Sequence, residues 1–299
     1  MIPRPETRNS KPDSEPETRN LKLILPQVVT IAEKAGEAVM EVYGQDDFAT
    51  AYKGDNSPLT RADIASHEII LRHLCALTPD LPVLSEESES LPYAERQSWR
   101  ALWLVDPLDG TKEFIKRNGE FTVNIALVED SRPVLGVVHA PALDVTYFAA
   151  YGVGAFKRSA DNQVRRIVAA HEQHMPLRIV TSRSHEGDRL ERFLEKIGPF
   201  EHIRMGSSLK LCLVAEGTAH LYPRLGPTME WDIAAAQCVV EMAGGAVTDL
   251  EGRTLKYNKP DLTNPCFIAC RNTSTLMATR DTPLLASLAS ALKVLTADS

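Results

Sequence analysis

Hydrophobic residues near the start of the chain recur every three to four positions, which is the spacing of amphipathic helices. The first predicted helix carries one apolar face, formed by Leu21, Ile24, Val28, Ile31, Ala35, Val39 and Val42. A second predicted helix follows the segment 56–60 and ends at Thr78, directly before Pro79. Its apolar positions are Ile64, Ile70, Leu71, Leu74 and Leu77. Each helix therefore needs a partner surface for its apolar face.

Short apolar runs follow and predict strands. They lie at 81–85, 101–105, 121–128, 133–139 and 144–150, and a turn around Pro141 joins the last two. The polar residues 158–174 are predicted to link two halves of the protein.

The second half again mixes helices and strands. It predicts strands at 177–183, before Arg224, at 246–248 and at 266–270, and helices at 188–198, 208–217, 231–245 and 282–295. Because the two types are interspersed without strict alternation, the order favours an α/β protein of the layered α+β type with mixed sheets over a doubly wound sheet.

The first 20 residues have a different composition from the rest. They are rich in Pro, Glu, Arg, Asn and Ser, and the sequence PETRN occurs twice. Such a segment cannot bury enough apolar surface to offset the entropy of ordering, so residues 1–20 are predicted to be a disordered tail. The remainder is divided into two predicted units, 21–160 and 161–299.

Bulk composition narrows the class of protein. The chain is 43% hydrophobic and 24% charged, which is ordinary for a globular protein, and its net charge of -7 argues against nucleic-acid binding. It has neither an apolar stretch of transmembrane length nor the apolar core of a signal peptide. Five scattered cysteines suit a reducing compartment. We expect a cytoplasmic protein without integral membrane contact or an evident obligate protein partner.

Acidic residues stand at the edges of several apolar elements. They are Asp63, Glu86, Glu87, Asp106, Asp109 and Asp232. Taken singly, each has a simple structural explanation. Asp63 and Asp232 suit the first turn of a helix, where the helix dipole favours a negative charge, and the two glutamates suit a loop.

The stretch from Asp106 to Thr111 indicates more than charge on a surface. Its two carboxylates are three positions apart, with a proline between them, and can point at one centre that the carbonyl of Leu108 can join. Oxygen ligands of this kind suit Mg²⁺. Gly110 allows close backbone approach, and the N–H groups of Gly110 and Thr111 open a predicted helix, where phosphate binds readily. Together these features indicate transfer of a phosphoryl group to water.

Two long motifs carry a family resemblance. The sequence DPLDGT at 106–111, followed by WDIAAAQCVVEMAGG at 231–245, resembles the paired signatures of the inositol monophosphatase superfamily of Mg²⁺-dependent, lithium-sensitive phosphatases. The sequence SEES at 85–88 occupies the place of the third acidic motif of that family. The match covers residues 25–272 and implies an alternating αβαβα sandwich.

The resemblance also implies roles for individual residues. Glu86, Asp106 and the Leu108 carbonyl would bind one Mg²⁺, and Asp106, Asp109 and Asp232 a second. A weaker third ion that shares Glu86 is allowed. Asp63 and Thr111 would position and deprotonate the attacking water, and the amides of Gly110 and Thr111 would hold the phosphate.

Within the superfamily, the chain is similar to the bacterial 3'(2'),5'-bisphosphate nucleotidases of the CysQ type. Simple inositol monophosphatases usually have Thr-Asn-Phe where this chain has Thr111, Lys112, Glu113 and Phe114. The implied reaction is hydrolysis of adenosine 3',5'-bisphosphate to AMP and phosphate, with 3'-phosphoadenylyl sulfate as a second substrate and a role in sulfur assimilation. The implied partner is this small nucleotide bisphosphate.

The second half supplies the candidates for nucleotide recognition. Lys210 and Arg224 are predicted to bind the 5'-phosphate, and His185 is predicted to stack on adenine. A solvated helix position for Lys210 and a core position for Tyr222 are the structural alternatives. The full set of predicted substrate-binding residues is Glu86, Leu108, Asp109, Gly110, Thr111, His185, Ser207, Lys210, Arg224 and Asp232. Ser208 and Tyr222 are further candidates for the pocket.

Two other functions remain open at this point. One is an inositol or sugar monophosphatase with the same metals and a different pocket. The other is a non-catalytic nucleotide-binding protein, against which the complete set of candidate ligands counts. Peripheral association with the cytoplasmic face of the inner membrane, as in similar bacterial enzymes, is also left open.

Overall fold

The structure, a computed structural model, describes most of the chain. The described residues are 20–45, 51–52, 58–89, 91–169, 176–183, 188–197 and 199–271. The predicted tail, except for Asn20, and the predicted helix at 282–295 lie outside these ranges. So do His185 and the predicted linker residues 170–174.

The described part contains seven α-helices and fourteen strands. The helices are α1 (Leu21–Tyr43), α2 (Arg61–Leu77), α3 (Tyr93–Arg96), α4 (Thr111–Ile115), α5 (Asp188–Ile197), α6 (Leu209–Ala215) and α7 (Glu230–Met242). The first nine strands are β1 (Ala51–Tyr52), β2 (Pro58–Leu59), β3 (Val83–Ser85), β4 (Ala101–Asp109), β5 (Thr122–Glu129), β6 (Arg132–Ala140), β7 (Val145–Ala150), β8 (Gly154–Arg158) and β9 (Val164–Arg166). The others are β10 (Leu177–Ser182), β11 (Phe200–Met205), β12 (Leu221–Arg224), β13 (Ala246–Asp249) and β14 (Phe267–Cys270).

The strands form two large sheets and one short hairpin. Strands β3 to β9 lie in sequence order in a seven-stranded sheet, in which only the β3–β4 pair is parallel. The smaller sheet has the order β11-β10-β12-β14-β13 and is also mixed. Strands β1 and β2 pair with each other.

Alternation along β4 shows how the layers are built. Trp103 and Val105 pack with α1 and α2, whereas Leu102 and Leu104 pack with α6 and α7, because successive side chains point to opposite faces of a strand. The small sheet covers the other side of α6 and α7 and is itself covered by α5. The order of layers is therefore αβαβα, as the resemblance implied.

Several local predictions were wrong in detail. Ile64 is 40% exposed, and the buried face of α2 instead carries small or aliphatic residues, namely Ala62, Ser66, Ile70 and Leu74. The predicted polar link includes β9, an exposed edge strand without apolar alternation. Strand β11 was missed because its three apolar residues, Phe200, Ile203 and Met205, are not strictly alternating and none of its residues is buried. The predicted division near residue 160 stays a prediction, and α7 from the second predicted unit packs against the sheet of the first.

None of the described helices combines the length and apolar character that a bilayer span requires.

Gly136 on β6 lets α7 approach the large sheet closely. A Cβ atom at this position would lie 2.2 Å from the carbonyl oxygen of Ala235 and 2.9 Å from Cβ of Cys238, both on α7. Helix α7 also carries Asp232, so this contact sets how close that carboxylate comes to the sheet.

We expect Gly136→Ala to lower the free energy of unfolding by about 1–3 kcal/mol, because the added methyl group must push α7 away from β6. Thermal and urea unfolding would measure the loss. The matched control is Gly44→Ala at the exposed end of α1, where the nearest atom lies 3.6 Å from the new Cβ and φ is -71°. This control should stay within about 0.5 kcal/mol of the wild type. Equal stability of the two variants would contradict the close contact.

Candidate active site

A bulge in β4 brings two aspartates to the same face of the large sheet. Asp106 pairs with Asn124, and Asp109 pairs with Thr122, so β4 has two residues between these pairs where β5 has one. Residues three apart on a regular strand point to opposite faces, and one extra residue reverses that relation. Proline is tolerated at such a bulge, which explains Pro107 inside the strand. The strand therefore continues beyond the predicted end at 105.

Hydrogen bonds fix the shape of the bulge. The hydroxyl of Ser66 on α2 donates to the carbonyl of Pro107 at 2.7 Å. The backbone N–H of Leu108 donates to Oδ1 of Asp106 at 3.0 Å. The hydroxyl of Thr111 donates to the carbonyl of Leu108 at 3.3 Å. Both the carboxylate and the carbonyl that were predicted to bind metal are thus held in place.

Three carboxylates from distant parts of the chain meet beside the bulge. Glu86, Asp106 and Asp232 each offer an oxygen within 4.8 Å of the others. Glu86 directly follows β3, and its N–H donates to the carbonyl of Val105 at 3.1 Å. Asp232 lies in the first turn of α7, where it accepts a hydrogen bond from the N–H of Met229 at 2.9 Å.

The negative charges of these carboxylates repel one another. Burial, followed by the charges of Glu86, Asp109 and Asp232, raises the pKa of Asp106 well above its ordinary value. Burial, followed by Asp109 and Glu86, does the same to the pKa of Asp232. A buried group of like charges is costly unless a cation neutralises it. A set of oxygen ligands alone suits a hard divalent ion such as Mg²⁺, so the residues present fit the predicted metal.

Asp109 lies beside this cluster and is held from the second half of the chain. Its Oδ2 accepts hydrogen bonds from the hydroxyl of Ser207 and from the backbone N–H of Ser208, both at 2.6 Å. The carboxylate of Asp109 therefore faces the cluster of Glu86, Asp106 and Asp232 on one side and the turn before α6 on the other.

Asp63 and Thr111, the predicted pair that activates water, come together at the edge of the cluster. The hydroxyl of Thr111 lies 3.5 Å from Oδ1 of Asp63. Oδ2 of Asp63 accepts hydrogen bonds from the N–H and the hydroxyl of Thr60, both at 2.7 Å. Asp63 is buried, so these contacts give its carboxylate one orientation.

Gly110 makes the turn between the bulge and α4. Its φ of +91° is a conformation that side chains rarely adopt. A Cβ atom there would also lie 3.2 Å from the carbonyl oxygen of Glu120 and 3.3 Å from Cβ of Ser207. A glycine is therefore required for the backbone to pass between the two halves.

A cleft of about 150 Å³ extends from the carboxylates into the second half. It is lined by Ser207, Ser208, Lys210, Tyr222 and Arg224, as well as by Asp109, Gly110 and Asp232. Lys210 is buried and has its ammonium group 5.6 Å from the centre of the Tyr222 ring. Of the predicted nucleotide residues, all except His185 are described, and they meet in this cleft.

The surroundings of Lys210 make its ammonium group easier to deprotonate. Burial lowers the pKa of Lys210 to about 8, and Arg224 acts in the same direction, while Asp109, Glu113 and Glu120 oppose them. The ammonium group donates a hydrogen bond to the carbonyl of Ser207. A buried cation at one end of a cleft and carboxylates at the other suit a ligand with two separate anionic groups, one of them bound through a metal.

Glu113 and Lys112, the two residues that favoured a nucleotide substrate in the sequence, differ in their exposure to solvent. Glu113 is buried and lines the cleft, and its Cγ would lie 2.8 Å from a Cβ at Gly206. Lys112 is exposed on α4.

Sequence reasoning missed two polar residues of β5, Thr122 and Asn124. Both are buried and contact the turn before α6. A signal for them exists in the sequence, because a threonine and an asparagine two positions apart interrupt an otherwise apolar strand on one face. Ser182 and Thr228, which also line the cleft, were missed for lack of any such signal.

Comparison with known proteins adds independent information. A sequence model of the inositol monophosphatase family matches residues 20–285. The 3'(2'),5'-bisphosphate nucleotidase CysQ of Salmonella typhimurium is 52% identical over 246 residues, which cover 82% of this chain and 98% of that protein. The protein of the same name from Escherichia coli K12 is 50% identical with the same coverage.

Solved structures of members of the same family are also similar to this chain. CysQ from Bacteroides thetaiotaomicron, a bacterial member of the inositol monophosphatase family, has a TM-score of 0.75 at 42% identity and covers 84% of this chain and 98% of its own. An inositol monophosphatase from Anabaena has a TM-score of 0.70 at 26% identity, with coverage of 92% and 97%.

We expect Mg²⁺ to raise the melting temperature of the protein, since an ion that binds only the folded state stabilises it by about 2.7 kcal/mol at a hundredfold excess over Kd. Without divalent ions, Asp106→Asn should be at least as stable as the wild type at neutral pH. The reason is that a carboxyl whose pKa is raised in the folded state destabilises that state increasingly as the pH rises above the pKa of the unfolded chain, whereas asparagine does not ionise.

Calorimetry with and without Mg²⁺ at constant ionic strength would measure both effects. Asp106→Asn should lose most of the Mg²⁺-dependent rise, whereas Asp161→Asn, at an exposed turn between β8 and β9, should keep it. A full Mg²⁺ response in Asp106→Asn would exclude this carboxylate from the metal site.

Proposed function

The chain belongs to the inositol monophosphatase family, and on that premise we propose that it is a Mg²⁺-dependent 3'(2'),5'-bisphosphate nucleotidase. It hydrolyses adenosine 3',5'-bisphosphate to AMP and phosphate, and 3'-phosphoadenylyl sulfate to adenylyl sulfate. The observation that carries this proposal is the cleft that joins the carboxylate cluster to the buried Lys210. Relatives at about 50% identity bear the name of this activity and are covered along 98% of their length.

Two Mg²⁺ ions would be held by Glu86, Asp106, Asp109, Asp232 and the carbonyl of Leu108, and a third would share Glu86. When bound, the metal neutralises the phosphate dianion and lowers the pKa of an attacking water. All four side chains and the carbonyl stand on three elements, the end of β3, the bulge in β4 and the start of α7, which keeps their spacing rigid.

Asp63 and Thr111 act on the attacking water. Thr60 holds one carboxylate oxygen of Asp63, and the other oxygen faces the Thr111 hydroxyl. A water bound beside both groups would give its proton to this second oxygen. The backbone N–H groups of Gly110 and Thr111 bind the scissile phosphate. The departing 3'-oxygen of the ribose takes up a proton from solvent.

Lys210 and Arg224 bind the second phosphate. Both are cationic, both line the cleft, and Arg224 is fixed by a hydrogen bond to the carbonyl of Pro227 at 2.9 Å. The hydroxyl of Ser207 is turned towards Asp109, so Ser207 contributes through the shape of its turn. His185 stays a prediction for adenine stacking.

The reaction consumes the nucleotide bisphosphate that sulfuryl transfer leaves behind, which gives the protein a role in sulfur assimilation. We also expect inhibition by Li⁺ and a cytoplasmic location, with membrane association at the cytoplasmic face as a separate possibility to test by fractionation.

A substrate panel tests the proposed activity directly. With Mg²⁺, phosphate release from adenosine 3',5'-bisphosphate should exceed that from inositol 1-phosphate, and Li⁺ should reduce it. Asp106→Asn should lower kcat/KM by more than about a hundredfold, because metal stabilisation of the transition state is worth several kcal/mol.

The other outcomes select the alternatives. Equal or faster release from the inositol ester would favour an inositol or sugar monophosphatase. Binding of the nucleotide without any phosphate release would favour a non-catalytic nucleotide-binding protein.

The pH dependence of selectivity tests the role of Lys210. As the pH rises through about 8, Lys210 loses its charge and the attraction for the second phosphate falls. We expect the ratio of kcat/KM for adenosine 3',5'-bisphosphate to that for adenosine 3'-monophosphate to fall up to about tenfold between pH 7 and 9. Lys210→Arg should remove this decline, because arginine stays protonated throughout. A pH-independent ratio in the wild type would contradict the assignment.

A further inference from the structure

A buried chain of hydroxyl and amide groups connects β5 to the turn before α6. The hydroxyl of Thr122 lies 2.5 Å from that of Ser207 and 2.8 Å from that of Ser208. The hydroxyl of Ser208 donates to Oδ1 of Asn124 at 2.8 Å, and Thr122 lies 3.2 Å from the same oxygen. Thr122 is completely buried, so water does not compete for these contacts.

The protons of this chain can be assigned from the chemistry of its members. A carboxylate and an amide oxygen only accept, so Ser207 donates its single hydroxyl proton to Asp109 and Ser208 donates to Asn124. Thr122 then donates to its nearest acceptor, the oxygen of Ser207. A hydroxyl that donates to a carboxylate becomes a better acceptor, so the link from Thr122 through Ser207 to Asp109 is mutually reinforcing.

The turn that Thr122 holds has an unusual backbone. Ser207 has a φ of +53°, which is rare for a residue with a side chain. Such conformations persist when the surroundings determine them, and they concentrate at functional sites. Here the surroundings are Asp109, which binds both Ser207 and Ser208, and Thr122 on the other side.

The same turn positions the cation of the cleft. The ammonium group of Lys210 donates to the carbonyl of Ser207, and Lys210 follows in the first turn of α6. Thr122 stands directly opposite Asp109 in the sheet. The network therefore sets the distance between the carboxylates at the end of β4 and the ammonium group of Lys210.

We propose that Thr122 is a positioning residue that determines specificity for substrates with two phosphates. It holds the turn before α6 so that the distance from the carboxylate cluster to the Lys210 ammonium group lets one substrate reach both. This inference rests on the proposed function, because it assigns Lys210 to the second phosphate.

The test compares two substrates that differ only in the 5'-phosphate, adenosine 3',5'-bisphosphate and adenosine 3'-monophosphate, with saturating Mg²⁺. Thr122→Val keeps the shape of the side chain and removes its hydroxyl. We expect it to lower the ratio of the two kcat/KM values roughly tenfold, mainly through KM of the bisphosphate, as loss of a charge-linked hydrogen bond would. Thr122→Ser, which restores the hydroxyl, should restore the ratio.

Two further variants separate positioning from general damage. Thr146→Val removes a buried hydroxyl elsewhere in the same sheet, where it contacts His139 at 2.9 Å, and should leave the ratio unchanged. In a double-mutant cycle, Thr122→Val should change the ratio little once Lys210→Met has removed the cation.

The possible failures are distinguishable. A wild-type protein with no preference for the bisphosphate would refute the proposed function and this inference with it. A wild-type preference that survives in Thr122→Val, or that falls by the same factor with and without Lys210, would refute the inference alone. Equal losses for both substrates would identify Thr122 as merely structural.

Discussion

Mutual repulsion among Glu86, Asp106 and Asp232 is the constraint on which the arrangement of this protein depends. Three carboxylates within 4.8 Å of one another do not gather unless other interactions force them together. The forcing elements are two strands and a helix whose positions are settled by their own cores. The energy of packing thus holds together carboxylates whose mutual repulsion a divalent cation would relieve.

The two halves of the candidate site differ in how they are built. The metal end stands on β3 and β4, at one edge of the large sheet, where the bulge and the hydrogen bond from Ser66 leave the backbone little freedom. The nucleotide end stands on a short turn and a two-turn helix, joined to the sheet through Asp109 and the hydroxyls around Thr122. If the proposed roles of these residues hold, chemistry and selectivity reside on different elements, so a change in the turn would alter the choice of substrate while the metal end is preserved.

The sequence predicted much of this architecture, and the omissions have physical reasons. Periodicity found α1 and α2 and most of the central strands, since each has a clear apolar face. It failed at Ile64 because helical spacing alone does not tell which face meets the sheet, and at β9 because an exposed edge strand has no apolar alternation. The acidic motif indicated that Asp106 and Asp109 share a centre, but the bulge that turns both to one face is a matter of pairing register with β5. Thr122 and Asn124 were visible only as polar interruptions, whose meaning depends on what packs against them.

The wide separation of the three carboxylates along the chain has a consequence for biosynthesis. Glu86 and Asp106 emerge from the ribosome early, whereas Asp232 follows more than a hundred residues later and reaches them only when α7 has docked against Gly136. The strand β14, which completes the small sheet behind α7, comes later still. A nascent chain that has not yet reached Asp232, or one terminated before it, therefore lacks one wall of the cluster, and the cluster is complete only after α7 has been made and has docked.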